Sequence, residues 1–141
     1  DLREIALVGL GCLALSCAND FSGIEPTVLP TEDVEPGVFQ LNLDVPLSLD
    51  QIRVLWLELR DSRCAEGLTC LREGEAIATI EVSRDNMAPE RIELVLEPSV
   101  TPAAVAAAGY AFRLLTVGPY PREGVTPPRN EYVSSIEILP L

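Results

Sequence analysis

The chain has 141 residues, enough for one domain with a real core and too few for two of ordinary size. Its 22 acidic residues against 10 basic ones give a formal net charge of -12, which repels nucleic acid and anionic headgroups and excludes DNA or RNA as a partner. All ten basic residues are arginine, and without histidine or lysine there is no Ser-His-Asp relay, no imidazole metal ligand, no Schiff base and no phosphate-loop lysine.

Residues 5–15, IALVGLGCLAL, form an uncharged apolar run of eleven residues. As a helix it would span roughly 16 Å, well short of the hydrocarbon core of about 30 Å, so it cannot cross a membrane alone. It is apolar all round, without the polar positions at helical spacing that a core-facing helix carries. Its length suits the hydrophobic region of a secretory leader.

Leu13-Ala14-Leu15-Ser16-Cys17 closes that run with small and aliphatic residues before a cysteine. The segment resembles a bacterial lipoprotein signal peptide with its lipobox. The resemblance implies cleavage between Ser16 and Cys17, a diacylglycerol thioether on Cys17 and acylation of the new amino group. Several acyl chains anchor firmly, because each buried methylene contributes about 0.8 kcal/mol and a single chain is marginal. Ala18, directly after the cysteine, implies sorting to the outer membrane. The expected location is therefore the bacterial cell envelope, with the membrane as first partner through the lipid. Cys12 is a rival acylation site, but its upstream window includes the charged Arg3 and Glu4. The opening Asp1-Leu2-Arg3-Glu4 is not net positive and lacks an initiator Met, so residues upstream are expected to be missing.

Residues 18–36, ANDFSGIEPTVLPTEDVEP, hold five acids, no arginine and prolines at 26, 30 and 36. That composition favours an extended, self-repelling spacer that holds a domain off the bilayer. Within it, residues 24–29 could pair as a first edge strand.

Residues 37–141 read as strands. Apolar and polar residues alternate strictly over 39–45, FQLNLDV, as a half-buried antiparallel strand requires. The runs 52–60, 76–83, 91–97, 110–117 and 131–139 continue the pattern, with Leu55, Leu57 and Leu59 expected on one face of the second. Turn residues separate the runs at short spacing, which argues for an all-β antiparallel sandwich of about seven strands. One interruption reads as helix: 101–109, TPAAVAAAG, offers a Thr cap, Pro at the first position and a closing Gly. It predicts a two-turn crossover helix packed over one end of the sandwich.

Trp56 in mid-strand and Tyr110 at the start of a later strand, with Phe112 two places on, resemble the layout of an immunoglobulin-like domain. That resemblance implies an immunoglobulin-like sandwich with Trp56 in strand C. It makes Tyr110 a tyrosine corner at the start of strand F. Both aromatics are expected in the core.

With the leader removed and Cys17 acylated, Cys64 and Cys70 remain. In an exported protein they are expected to pair as a disulfide that staples one loop between strands. Their five-residue gap lacks the Cys-X-X-Cys geometry of redox catalysis. Two thiols without histidine also make a poor zinc site.

No catalytic constellation stands out. Glu73 with Glu75, or Asp44 with Asp50, could be nominated as an acid-base pair, but any acidic surface yields such pairs. No Asp-x-Asp-x-Asp-Gly calcium loop is present. The reading is a non-enzymatic protein without cofactor or metal. The most distinctive loop is 118–130, GPYPREGVTPPRN, long for a hairpin and stiffened by proline. Tyr120, Arg122 and Arg129 are its candidate recognition tip, because Tyr and Arg dominate binding hot spots. The expected partner is another envelope protein; the alternative is a glycan or peptide ligand.

Overall fold

The computed structural model describes residues 36–141. The leader, Cys17, the tether and the edge strand expected at 24–29 all lie outside the described residues.

Eight strands form among these residues: β1 (Gly37–Asn42), β2 (Leu47–Leu49), β3 (Ile52–Asp61), β4 (Ala76–Arg84), β5 (Glu90–Leu96), β6 (Val105–Ala107), β7 (Tyr110–Gly118) and β8 (Val133–Pro140). They build two antiparallel four-stranded sheets, β1-β8-β7-β6 and β2-β3-β4-β5. The alternation dictates this arrangement. Each strand has one apolar face, and two such faces are buried only against each other. Val54, Trp56 and Ile80 from one sheet meet Phe112, Leu114, Ile136 and Ile138 from the other, all fully buried. Across the outer faces, Arg91 pairs with its register partner Glu81, and Arg113 with Glu137.

The antiparallel sandwich is as expected, but its wiring is sequential. Within each sheet every strand beyond β1 pairs with its neighbour in sequence, and β1 closes against β8. Constant-type immunoglobulin domains interleave their strands as ABED and CFG, with C and F in one sheet. Here Trp56 lies on β3 and Tyr110 on β7, in opposite sheets, because each of these strands is paired by its own hairpin neighbours. Both rings are nevertheless core.

The helix expected at 101–109 does not form. Residues 101–104 are irregular, Val105–Ala107 is strand β6, and Ala107 pairs with Tyr110 across a two-residue turn. Ala108 and Gly109 have φ of 51° and 85°, the positive values that a tight hairpin turn needs. The closing glycine read as a helix cap is therefore a hairpin residue. Pairing with β7 and burial of Ala107 and Ala108 outweigh the helix preference of an alanine run, since tertiary contacts override intrinsic propensity. Among the described residues the helical content is one 3-10 turn, Arg129–Glu131.

Two bulges decide what the sheets present. In β3 the register shifts between Trp56 and Glu58, and in β7 between Leu114 and Thr116. Each inserts one residue and reverses which side chains face inward beyond it. Before the first bulge Ile52, Val54 and Trp56 point to the core; after it Leu59 does, and Asp61 follows on the same side. Leu55, Leu57 and Leu59 thus do not share a face. In β7 Leu115 sits in the second bulge, which turns Thr116 outward and Val117 inward beyond it.

Candidate functional site

Three connections meet at one end of the sandwich: 62–75 after β3, 97–104 after β5 and 119–132 after β7. The register brings them together, since Asp61 opposes Ala76, Ala76 opposes Leu96, and Gly118 opposes Val133.

The arrangement grows from the β3 bulge. Asp61, turned inward, is 11% exposed in its side chain and needs a partner of opposite charge; Arg63 supplies it at 5%. The Arg63 Nε donates to Asp61 Oδ1 at 2.8 Å, Nη2 donates to Oδ2 at 2.6 Å, and Nη1 donates to the Val117 carbonyl at 3.0 Å. A buried pair is tolerable only when its donors and acceptors are satisfied in this way. The guanidinium plane then carries the Tyr120 ring, whose centroid lies 4.6 Å from Arg63 Cζ. Tyr120 remains 42% exposed, an aromatic mounted on a fixed cation.

A second support comes from the disulfide. Cys64 and Cys70 are bonded with their Cα atoms 5.9 Å apart, as expected, and close the loop containing Glu66. The Glu66 amide donates to the Pro121 carbonyl at 2.9 Å, and the Glu66 carboxylate accepts from Arg122 Nε at 3.2 Å. The stapled loop therefore grips the segment on the other side of Tyr120. Gly74 closes the base of this connection at φ 69°, where a Cβ would stand 1.9 Å from the Ser62 carbonyl oxygen. Only glycine fits there.

Three shallow hollows share Tyr120 as a wall. The largest, about 360 Å³, lies between the ring and Leu96, Val100, Pro102 and Leu115, with Glu97 on its rim. A second, about 320 Å³, runs along Pro119, Val125, Pro127 and Pro128, with Glu66, Arg122 and Glu131. A third, about 280 Å³, is lined by the disulfide, Arg72, Glu73 and Pro98. Leu68, Leu71, Val100 and Val125 are also exposed on these loops, Leu71 completely. Another hollow of about 320 Å³ sits at the far end beside Asp50, Gln51 and Arg84, and there the arginine is committed to Ala108, Gln51 and Tyr110.

Of the candidate tip residues, the structure brings Tyr120 and Arg122 into one hollow and separates Arg129 from them. Arg129 turns to the β1–β2 connection. Its Nε and Nη2 form a fork with Asp44, both at 2.8 Å, and Nη2 also donates to the Leu57 carbonyl at 3.0 Å. The hydrogen bond from Arg129, aided by its charge, holds the Asp44 carboxyl below the usual aspartate range, and the same contact raises Arg129. Arg129 is an anchor for the loop base, bonded to the bulged residue of β3. Arg63, Glu97 and Leu115 were not legible as site residues, because their placement depends on the bulges and on loop packing.

Among the described residues no group of three His, Cys, Asp or Glu side chains could hold a metal ion, and no helix is long and apolar enough to cross a membrane. No protein-family model matches the chain, and neither curated proteins nor solved structures provide a match.

Proposed function

We propose that this chain is a lipid-anchored protein of the bacterial cell envelope, held through Cys17, whose sandwich is a non-enzymatic interaction module. The Tyr120 end is its contact surface for another envelope protein. The observation that carries the reading is Tyr120 itself. It is exposed, fixed by Arg63 beneath and by the stapled loop alongside, and it walls three hollows at once. An aromatic anchored before binding loses little freedom on binding, which is how hot-spot residues gain their weight. The lipobox-like Leu13-Ala14-Leu15-Ser16-Cys17, the acidic proline-dotted spacer and an intact disulfide agree with export and tethering.

A second reading, glycan binding, rests on the same exposed ring, since sugars stack on aromatic faces. One experiment sorts the two. The chain is expressed in a Gram-negative envelope with a photo-crosslinking residue at position 125, and crosslinked products are compared between the native chain and Tyr120→Ala. A discrete protein adduct that falls at least about tenfold in the variant supports the interaction module, tenfold corresponding to 1.4 kcal/mol. Saturable, Tyr120-dependent binding to a glycan array without an adduct supports the alternative. Palmitate labelling lost in Cys17→Ala tests the anchor, and labelling that persists refutes it.

A further inference from the structure

We infer that the occupant of the Tyr120 end is a cationic, apolar segment of the partner protein, laid across the Tyr120 ridge; this rests on reading that end as an interaction surface. The walls and the charges around the ring argue for it together. On one side the hollow is built from Leu96, Val100, Pro102 and Leu115, on the other from Val125 and three prolines, so each flank of the ridge takes an apolar side chain.

In these two apolar hollows the charge left over has the same sign, while in the third Arg72 and Glu73 offset each other. In the first, Arg63 is neutralised by its fork with Asp61, and Glu97 remains. In the second, Arg122 is paired with Glu66, and Glu131 remains. Glu97 and Glu131 are both exposed and make no ion pair among the described residues. Each apolar flank therefore ends in one uncompensated carboxylate. A net charge of -12 on the whole chain adds long-range attraction for a cation. Acidic segments are repelled on both flanks. Complementarity of this rim type sets which partner is accepted and how fast it arrives more than how tightly it is held.

The probes are two synthetic twelve-residue peptides, one alternating Leu and Arg, the other Leu and Glu, titrated against the full chain by calorimetry. The Leu-Arg peptide is expected to bind about tenfold more tightly than the Leu-Glu peptide, in line with two exposed ion pairs made or opposed, and to weaken as salt is raised. Glu97→Arg with Glu131→Arg is expected to reverse the preference, and Asp50→Arg with Asp85→Arg, a distant pair in the far-end hollow, to leave it unchanged. Equal affinity for both peptides, failure to reverse, or reversal by the distant pair would overturn the inference. If the peptides fail in this way while Tyr120→Ala still removes the crosslinked adduct, the interaction surface stands and only its occupant is wrong. Binding to zwitterionic phospholipid vesicles, lost in Leu71→Ser and without peptide preference, would overturn it in favour of a lipid surface.

Discussion

The two ends of the sandwich use the same pair of side chains for opposite purposes. At one end Arg63 lies over Tyr120, 4.6 Å from its centroid; at the other Arg84 lies over Tyr110 at 5.6 Å. Both arginines also bond a backbone carbonyl, Val117 for Arg63 and Ala108 for Arg84. The difference is the ring. Tyr110 starts strand β7 and is 1% exposed, so the arginine above it seals the core and ties down the Ala108-Gly109 turn. Tyr120 sits two residues past the end of the same strand and is 42% exposed, so the arginine beneath it lifts the ring toward solvent. An arginine-tyrosine stack stabilises the fold when the ring faces inward and presents a contact when it faces out.

Alanine at the two tyrosines breaks this comparison most directly. Tyr110→Ala should cost about 3 to 5 kcal/mol in urea denaturation, as large aromatic truncations in cores do. Tyr120→Ala should stay within about 1 kcal/mol, because its ring is half out of the structure. Similar losses at both positions would erase the distinction. Next in size is the counter-ion. Asp61→Ala leaves Arg63 buried without its charge partner and should cost about 3 kcal/mol. Arg84→Ala loses hydrogen bonds to a carbonyl and an amide but removes the charge along with them, so no unpaired buried charge is left and the cost should be smaller. If Arg84→Ala proved the more damaging of the two, the buried ion pair would not be what holds the Tyr120 end.

How much of this was legible follows from the periodicity of strands. The alternating runs placed β1, β3, β4, β5, β7 and β8, because period-two burial is written into the residues themselves. Strands β2 and β6 are three residues each, too short to show a period. The inward faces were readable only as far as Trp56 and Leu114. A bulge adds a residue without changing composition, so nothing in IRVLWLELR announces that Asp61 turns toward the core. Arg63 was invisible as a site residue for that reason, and Leu115 because the loops that gather around it come from other connections. Residues 101–109 misled through local preference, since alanine and a closing glycine suit a helix, while the pairing that makes a hairpin of them comes from β7. The exposed position of Tyr120 and the pairing of the two cysteines were legible because residue type alone, an aromatic in a proline-rich loop and two thiols close in sequence, carried the signal.

The disulfide sharpens the comparison further, because it belongs to one end only. Cys64→Ser with Cys70→Ser should cost at most about 2.4 kcal/mol, the chain-entropy value for a loop of this size. The loss should be local. The Glu66 amide, bonded to the Pro121 carbonyl, should lose protection in hydrogen exchange, while the Leu141 amide, bonded to Gly109 at the far end, should keep its own. Uniform loss at both ends would mean that the staple serves the whole sandwich and has no special bearing on the Tyr120 loop.

The smallest expected effect concerns Arg129, which separates anchoring from recognition within a single loop. Its fork holds the Asp44 carboxyl below the ordinary aspartate value of 3.8. A group whose folded pKa is depressed contributes stability that is fully present above the unfolded value and is lost as pH falls through the folded one. The difference in denaturation midpoint between the native chain and Asp44→Asn should therefore be constant above 3.8 and vanish at more acid pH. The difference should be small and fade with added salt, since both partners are exposed. Asp44 has φ of 66°, a conformation that asparagine also adopts readily, so the substitution removes charge without straining the turn. The same variant should leave the Tyr120-dependent adduct intact, because Arg129 lines none of the three hollows that Tyr120 walls. Loss of the adduct in Asp44→Asn would return Arg129 to the recognition tip and make the loop act as one unit from base to ring.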